Sequence, residues 1–101
     1  VNILSKNKML VDFCNTYNIK VIGYSPLGYY YSSHLLENPV LASLAKKIDA
    51  KPAQVALSWL MAKGIAVIPK SRNLSRLKEN YESVNFIEKF KAQPLLSKAI
   101  D

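Results

Sequence analysis

The sequence predicts an α/β fold built from two consecutive βα units. Two observations carry this. The runs "KVIGY" (residues 20–24) and "IAVIP" (residues 65–69) are apolar on both faces, as parallel strands covered by helices are. Around them lie segments with apolar residues at helical spacing, in the order helix, strand, helices, strand, helix. Two strands do not make a stable parallel sheet, so the pattern calls for neighbouring strands that these 101 residues do not hold.

Each element has its own signals. Ser5 is a candidate cap for a helix from about Lys6 to Tyr17, with Met9, Leu10, Phe13, Cys14 and Tyr17 on one face and Asn18 as the stop. The first strand ends at Ser25-Pro26-Leu27-Gly28, a loop signal. Tyr29 to Leu36 is rich in Tyr and Ser without a helical period, and reads as a surface loop. Asn38 followed by Pro39 is a cap with proline at the first helical position, and Val40, Leu41, Leu44, Ala45 and Ile48 form the apolar stripe of that helix. A second helix starts near Pro52 with Lys51 as a poor cap, carries Val55, Ala56, Trp59 and Leu60, and ends at Gly64, where a left-handed C-terminus needs glycine. After the second strand, Asn73 caps a helix through about Val84, with Leu77, Tyr81 and Val84 inward. From Asn85 the pattern is less regular until Pro94, which can open a last helix through Leu95, Leu96 and Ile100. There are no repeats and no low-complexity tract.

Composition narrows the class. A chain of 101 residues, 50% hydrophobic and 21% charged, is globular and one domain at most. The longest run free of Asp, Glu, Lys and Arg, Val21 to Leu36, contains Pro26, Gly23 and Gly28 among many polar groups, which is unlike a membrane span. The chain opens at Val1 with no basic and apolar leader pattern. The expectation is a soluble protein, or a piece of one, without membrane contact. Cys14 has no partner for an internal disulfide, which fits a reducing cytoplasm. The net charge of +7 points to an anionic partner or to solvated lysine faces. Lys6, Lys8, Lys46, Lys47, Lys63 and Lys98 fall on scattered positions expected to be exposed. No basic stripe interleaved with aromatics, as nucleic-acid readers carry, is evident.

Ligands of parallel α/β folds sit at the C-terminal ends of the strands, and both candidate motifs fall there. One is Ser25-Pro26-Leu27-Gly28. The other is "IPKSRNLSRLKEN" (residues 68–80). A helix start after Ser71 presents free N–H groups and a positive dipole end. Arg76 leans back toward that start, so it and Lys70 could converge on one phosphate, Lys as a point charge and Arg as a planar fork. Glu79 and Asn80 supply an acceptor and an amide suited to a purine edge. The bland alternative makes these ordinary surface charges, with Glu79 paired to a nearby Lys and Pro26 and Gly28 plain turn residues.

The run "IPKSRNLSRLKEN" resembles the C-terminal signature of the aldo-keto reductases. The resemblance extends through "LLENPVLASLAKKIDAKPAQVALSWLMAKGIAVIPKS" and "LVDFCNTYNIKVIGYSPLG", from about Leu4 to Phe86. It implies the C-terminal part of a (β/α)8 TIM barrel: about two βα units plus the preceding helix, an incomplete barrel over residues 1–101. It implies NADPH as cofactor and reduction of aldehydes or ketones by the complete protein. Lys70 and Arg76 would bind the 2′-phosphate with help from Ser71 and Asn73. Glu79 and Asn80 would contact the adenine, and Ser25 and Leu27 would lie against the pyrophosphate. The family's catalytic Asp, Tyr, Lys and His have no counterparts here, and His34 belongs to the Tyr/Ser segment. Val1-Asn2 can be a remnant of the sixth strand, but the family's Gln does not follow it. Arg72 departs from the family pattern and adds charge beside the phosphate site. The alternatives are a truncated, non-catalytic nucleotide-binding or assembly module, and a basic nucleic-acid-binding domain. In isolation the chain is expected to self-associate.

Overall fold

The computed structural model describes residues 1–29 and 32–101. In chain order it contains α1 (Lys8–Thr16), β1 (Val21–Gly23), α2 (Ser32–Leu36), α3 (Pro39–Ile48), α4 (Pro52–Ala62), β2 (Ile65–Val67), α5 (Leu74–Glu82), a 3-10 turn (Ser83–Phe86), α6 (Ile87–Ala92) and α7 (Pro94–Ile100). β1 and β2 pair in parallel, with Val21 opposite Ile65 and Gly23 opposite Val67. This is the predicted βα order. A side chain at position 23 would place its Cβ 3.0 Å from Ile65 Cγ2, so glycine permits the close approach.

The core is built around α4. Val55, Ala56, Leu57 and Leu60 are fully buried, and Trp59 nearly so. Val55, Ala56, Trp59 and Leu60 join a cluster with Leu41, Leu44, Ala45 and Ile48 of α3, Ile65 of β2, Phe90 of α6 and Leu96 and Ile100 of α7. Local signals explain the helix ends. Asn38 Oδ1 accepts from the Val40 N–H at 2.8 Å, the geometry of an N-cap. Gly64, at φ 80°, follows α4 in the left-handed region as its position predicts. The indole N–H of Trp59 donates to Asp101 Oδ1 at 3.0 Å, and Lys63 pairs with the same oxygen at 3.0 Å. Thus α4 and the last residue are tied together. Among the described residues no helix is long and apolar enough to cross a membrane.

Several expectations need correction. α1 starts at Lys8, because Ser5 is held in a bridge with Asn2 and the left-handed Asn7 precedes the helix without a side-chain cap. Its apolar face points largely outward. Met9 is 88% exposed, and Leu10, Phe13 and Tyr17 are exposed too, while Val11 is buried. The apolar spacing was real, but no described element lies over it.

The predicted Tyr29–Leu36 loop contains α2, whose Leu35 is fully buried. A single buried leucine anchors one and a half turns, too few for a period to register. Tyr30 and Tyr31 lie outside the described residues. Val40 is exposed, unlike the rest of its stripe. β2 stops at Val67, so Ile68 and Pro69 belong to the loop. α5 ends at Glu82 rather than Val84, and Leu77, Tyr81 and Val84 are exposed. The irregular tail holds α6, with Phe90 turned into the core. Lys6 and Lys63 are half-buried against the C-terminal end instead of freely solvated. Asn2 forms an isolated bridge to Ser5 and its amide donates to the Ser25 carbonyl at 3.1 Å.

Candidate functional site

Both strands end at the same face of the molecule, and the segments that follow them frame one cavity of about 760 Å³. On one side is the turn after β1. The Gly28 N–H donates to the Ser25 carbonyl at 2.9 Å, closing four residues around the buried Pro26. Ser25 has φ 47° and Gly28 φ 92°, so the backbone takes left-handed conformations at both ends of the turn. On the other side is the loop from β2 into α5. The Asn73 N–H donates to Ser71 Oγ at 3.1 Å, and Asn73 Oδ1 accepts from the Arg76 N–H at 3.2 Å. Ser71 therefore shapes the loop and Asn73 caps the helix. The N–H groups of Leu74 and Ser75, in the first turn, have no intrahelical acceptor and face out of the helix end.

All eight residues singled out in the sequence line this one cavity: Ser25 and Leu27 from the first turn, and Lys70, Ser71, Asn73, Arg76, Glu79 and Asn80 from the second loop and α5. The cavity also takes in Arg72 and the start of α4, Lys51, Pro52 and Ala53. The α4 contribution was missed. Its signal was the Pro52 start behind a lysine that cannot cap, which marks a helix N-terminus open to the cavity.

Charge in the cavity is one-sided. Lys51, Lys70, Arg72 and Arg76 face a single carboxylate, Glu79. Among the described residues none of these five makes an ion pair; the neighbouring Lys78 pairs with Glu82 instead, at 3.9 Å. The alternative in which Glu79 serves a nearby lysine therefore lacks its contact. Four cations, free N–H groups at a helix start and a half-buried carboxylate beside an amide make a donor set suited to a phosphorylated ligand with a hydrogen-bonding edge. Among the described residues no group of His, Cys, Asp and Glu could hold a metal ion.

A model of the aldo/keto reductase family matches residues 1–94. The chain belongs to the aldo/keto reductase family. It is 40% identical over 83 residues to a 9,11-endoperoxide prostaglandin H2 reductase of Trypanosoma cruzi, covering 82% of this chain and 29% of that protein. Among solved structures, the aldo-keto reductase MGS-M4, from a Medee basin deep-sea metagenome library, aligns with TM-score 0.82 at 34% identity, over 93% of this chain and 33% of its own. A mutant of Gox0644 solved in complex with NADPH aligns with TM-score 0.78 at 31% identity, over 92% of this chain and 32% of its own. The chain spans less than a third of the length of the curated relatives it matches. The solved aldo-keto reductases are TIM barrels, and this chain holds two parallel strands with their helices, as a partial barrel would.

Proposed function

We propose that the cavity between the two strand ends binds the adenosine 2′-phosphate half of NADPH. On this reading the chain is the cofactor-binding, C-terminal part of a barrel whose complete protein reduces an aldehyde or ketone to an alcohol. The observation that carries it is that Lys70 and Arg76, with the α5 cap Asn73, line the same cavity as Glu79 and Asn80. Lys70 and Arg76 neutralise the 2′-phosphate, while Ser71 and Asn73 hold the loop that aims them. Glu79 and Asn80 take the adenine edge. The backbone of the Ser25–Gly28 turn, with Leu27 beside it, lies along the pyrophosphate. NADPH, when bound, supplies the hydride. The groups of this chain bind and orient, and the acid that protonates the carbonyl oxygen belongs to the rest of the barrel.

Titrating the chain with NADPH and NADH under identical salt tests the reading. Tighter binding of NADPH is expected, since only it carries the 2′-phosphate. Equal affinities would remove the basis for assigning Lys70 and Arg76 to that phosphate. A short DNA duplex should not displace NADPH; displacement, with a steep salt dependence shared among many lysines, would favour a nucleic-acid surface.

A further inference from the structure

Gln54 is a buried polar side chain lying behind the cavity rather than in it. It is 6% exposed, in the first turn of α4. Its Oε1 accepts from the Lys51 N–H at 3.0 Å, and its Nε2 donates to the Glu79 carbonyl at 3.0 Å, bridging 25 residues. Among the described residues this second bond is the one side-chain hydrogen bond that joins α4 to α5. Lysine offers no acceptor, so Lys51 cannot cap α4, and Gln54 provides the reciprocal half of the cap alone. The residues fixed at its two ends are not neutral bystanders. Lys51, Pro52 and Ala53 at the start of α4, and Glu79 and Asn80 of α5, all line the cavity.

We infer that Gln54 is a positioning residue: its carboxamide sets the spacing between the α4 start and Glu79-Asn80, and so the width of the slot that takes the adenine. This rests on the nucleotide reading above. Two directions of hydrogen bonding are needed at once, acceptance from Lys51 and donation to Glu79. A carboxamide supplies both. A carboxylate supplies only the first and sets a negative charge against a carbonyl oxygen. A protonated carboxyl supplies both again.

The test uses the 101-residue chain and three probes: adenosine 2′,5′-bisphosphate, NADH and inorganic pyrophosphate. With Gln54→Met, close in size, binding of the two adenine-bearing probes should weaken by the same factor, roughly two- to tenfold for one neutral hydrogen bond. Pyrophosphate, which has no base, should be unaffected. With Gln54→Glu, adenine-probe binding relative to wild type should be impaired near about pH 8 and recover near about pH 5.5, because burial raises the pKa of a carboxyl. A purely structural glutamine would weaken all three probes together in both variants. Unchanged adenine-probe affinity in Gln54→Met, equal loss for pyrophosphate, or a pH-independent Gln54→Glu ratio would each overturn the inference. A wild-type chain that binds none of the probes would instead overturn the nucleotide reading on which it stands.

Discussion

Asn73 illustrates how one residue can serve fold and site together. Its carboxamide oxygen caps α5 through the Arg76 N–H, and the residue also lines the cavity. Asn73→Ala should lower stability by about 1 kcal/mol, the usual cost of a lost side-chain cap, measurable as a reduced urea midpoint. It should also weaken NADPH binding, because the cap orders the turn from which Arg76 projects. An unchanged midpoint would mean that the helix start is held by something other than this cap. This level of the site was legible in the sequence. Asn73, Arg76, Glu79 and Asn80 lie within one helix and its cap, so their faces follow from local geometry. Gln54 was not legible, because its meaning depends on Glu79, far along the chain and brought close only by packing of α4 on α5. Ser71 was recognised as polar and near the site, but its bond to the Asn73 N–H needs the loop's actual path.

At the level of elements, α4 carries the fold. It packs against α3, β2, α5, α6 and the 3-10 turn, and Leu57 at its centre has no exposed surface. Leu57→Ala should cost about 2–5 kcal/mol through lost burial and the cavity left behind. A domain this small has little reserve, so the variant should show less helical signal and a lower melting midpoint than wild type in circular dichroism. A melt like that of wild type would place the core elsewhere. The helices that sequence periodicity located most clearly, α3 and α4, are those whose apolar faces meet a partner among the described residues. α1 and α5 have comparable spacing, yet their stripes lie in solvent. Periodicity reports that a helix has an apolar face and is silent on what covers it. The short α2 and α6 escaped notice because each commits a single large side chain, Leu35 or Phe90, to the interior.

Over the whole molecule, the same uncovered faces shape solution behaviour. Met9, Phe13 and Tyr17 on α1, Ile22 and Tyr24 at β1, and Leu74 and Tyr81 on α5 are all exposed, and the two-stranded sheet has open edges. Apolar surface of this extent and unpaired strand edges favour association. Sedimentation of the isolated chain should therefore show species heavier than 11.3 kDa that grow with concentration, and a sharp monomeric melt would contradict it. The charge distribution belongs to this scale as well. A net charge of +7 says nothing by composition about where the charge lies; the structure gathers Lys51, Lys70, Arg72 and Arg76 at one cavity, without ion pairs among the described residues. The most direct test of that site is a pair of binding titrations on wild type and Arg76→Ala. Loss of a charge-assisted contact worth roughly 1.5–3 kcal/mol should weaken NADPH about ten- to a hundredfold and leave NADH nearly unchanged. Equal losses for the two cofactors would show that Arg76 supports the fold and not the 2′-phosphate, contradicting the account at its centre.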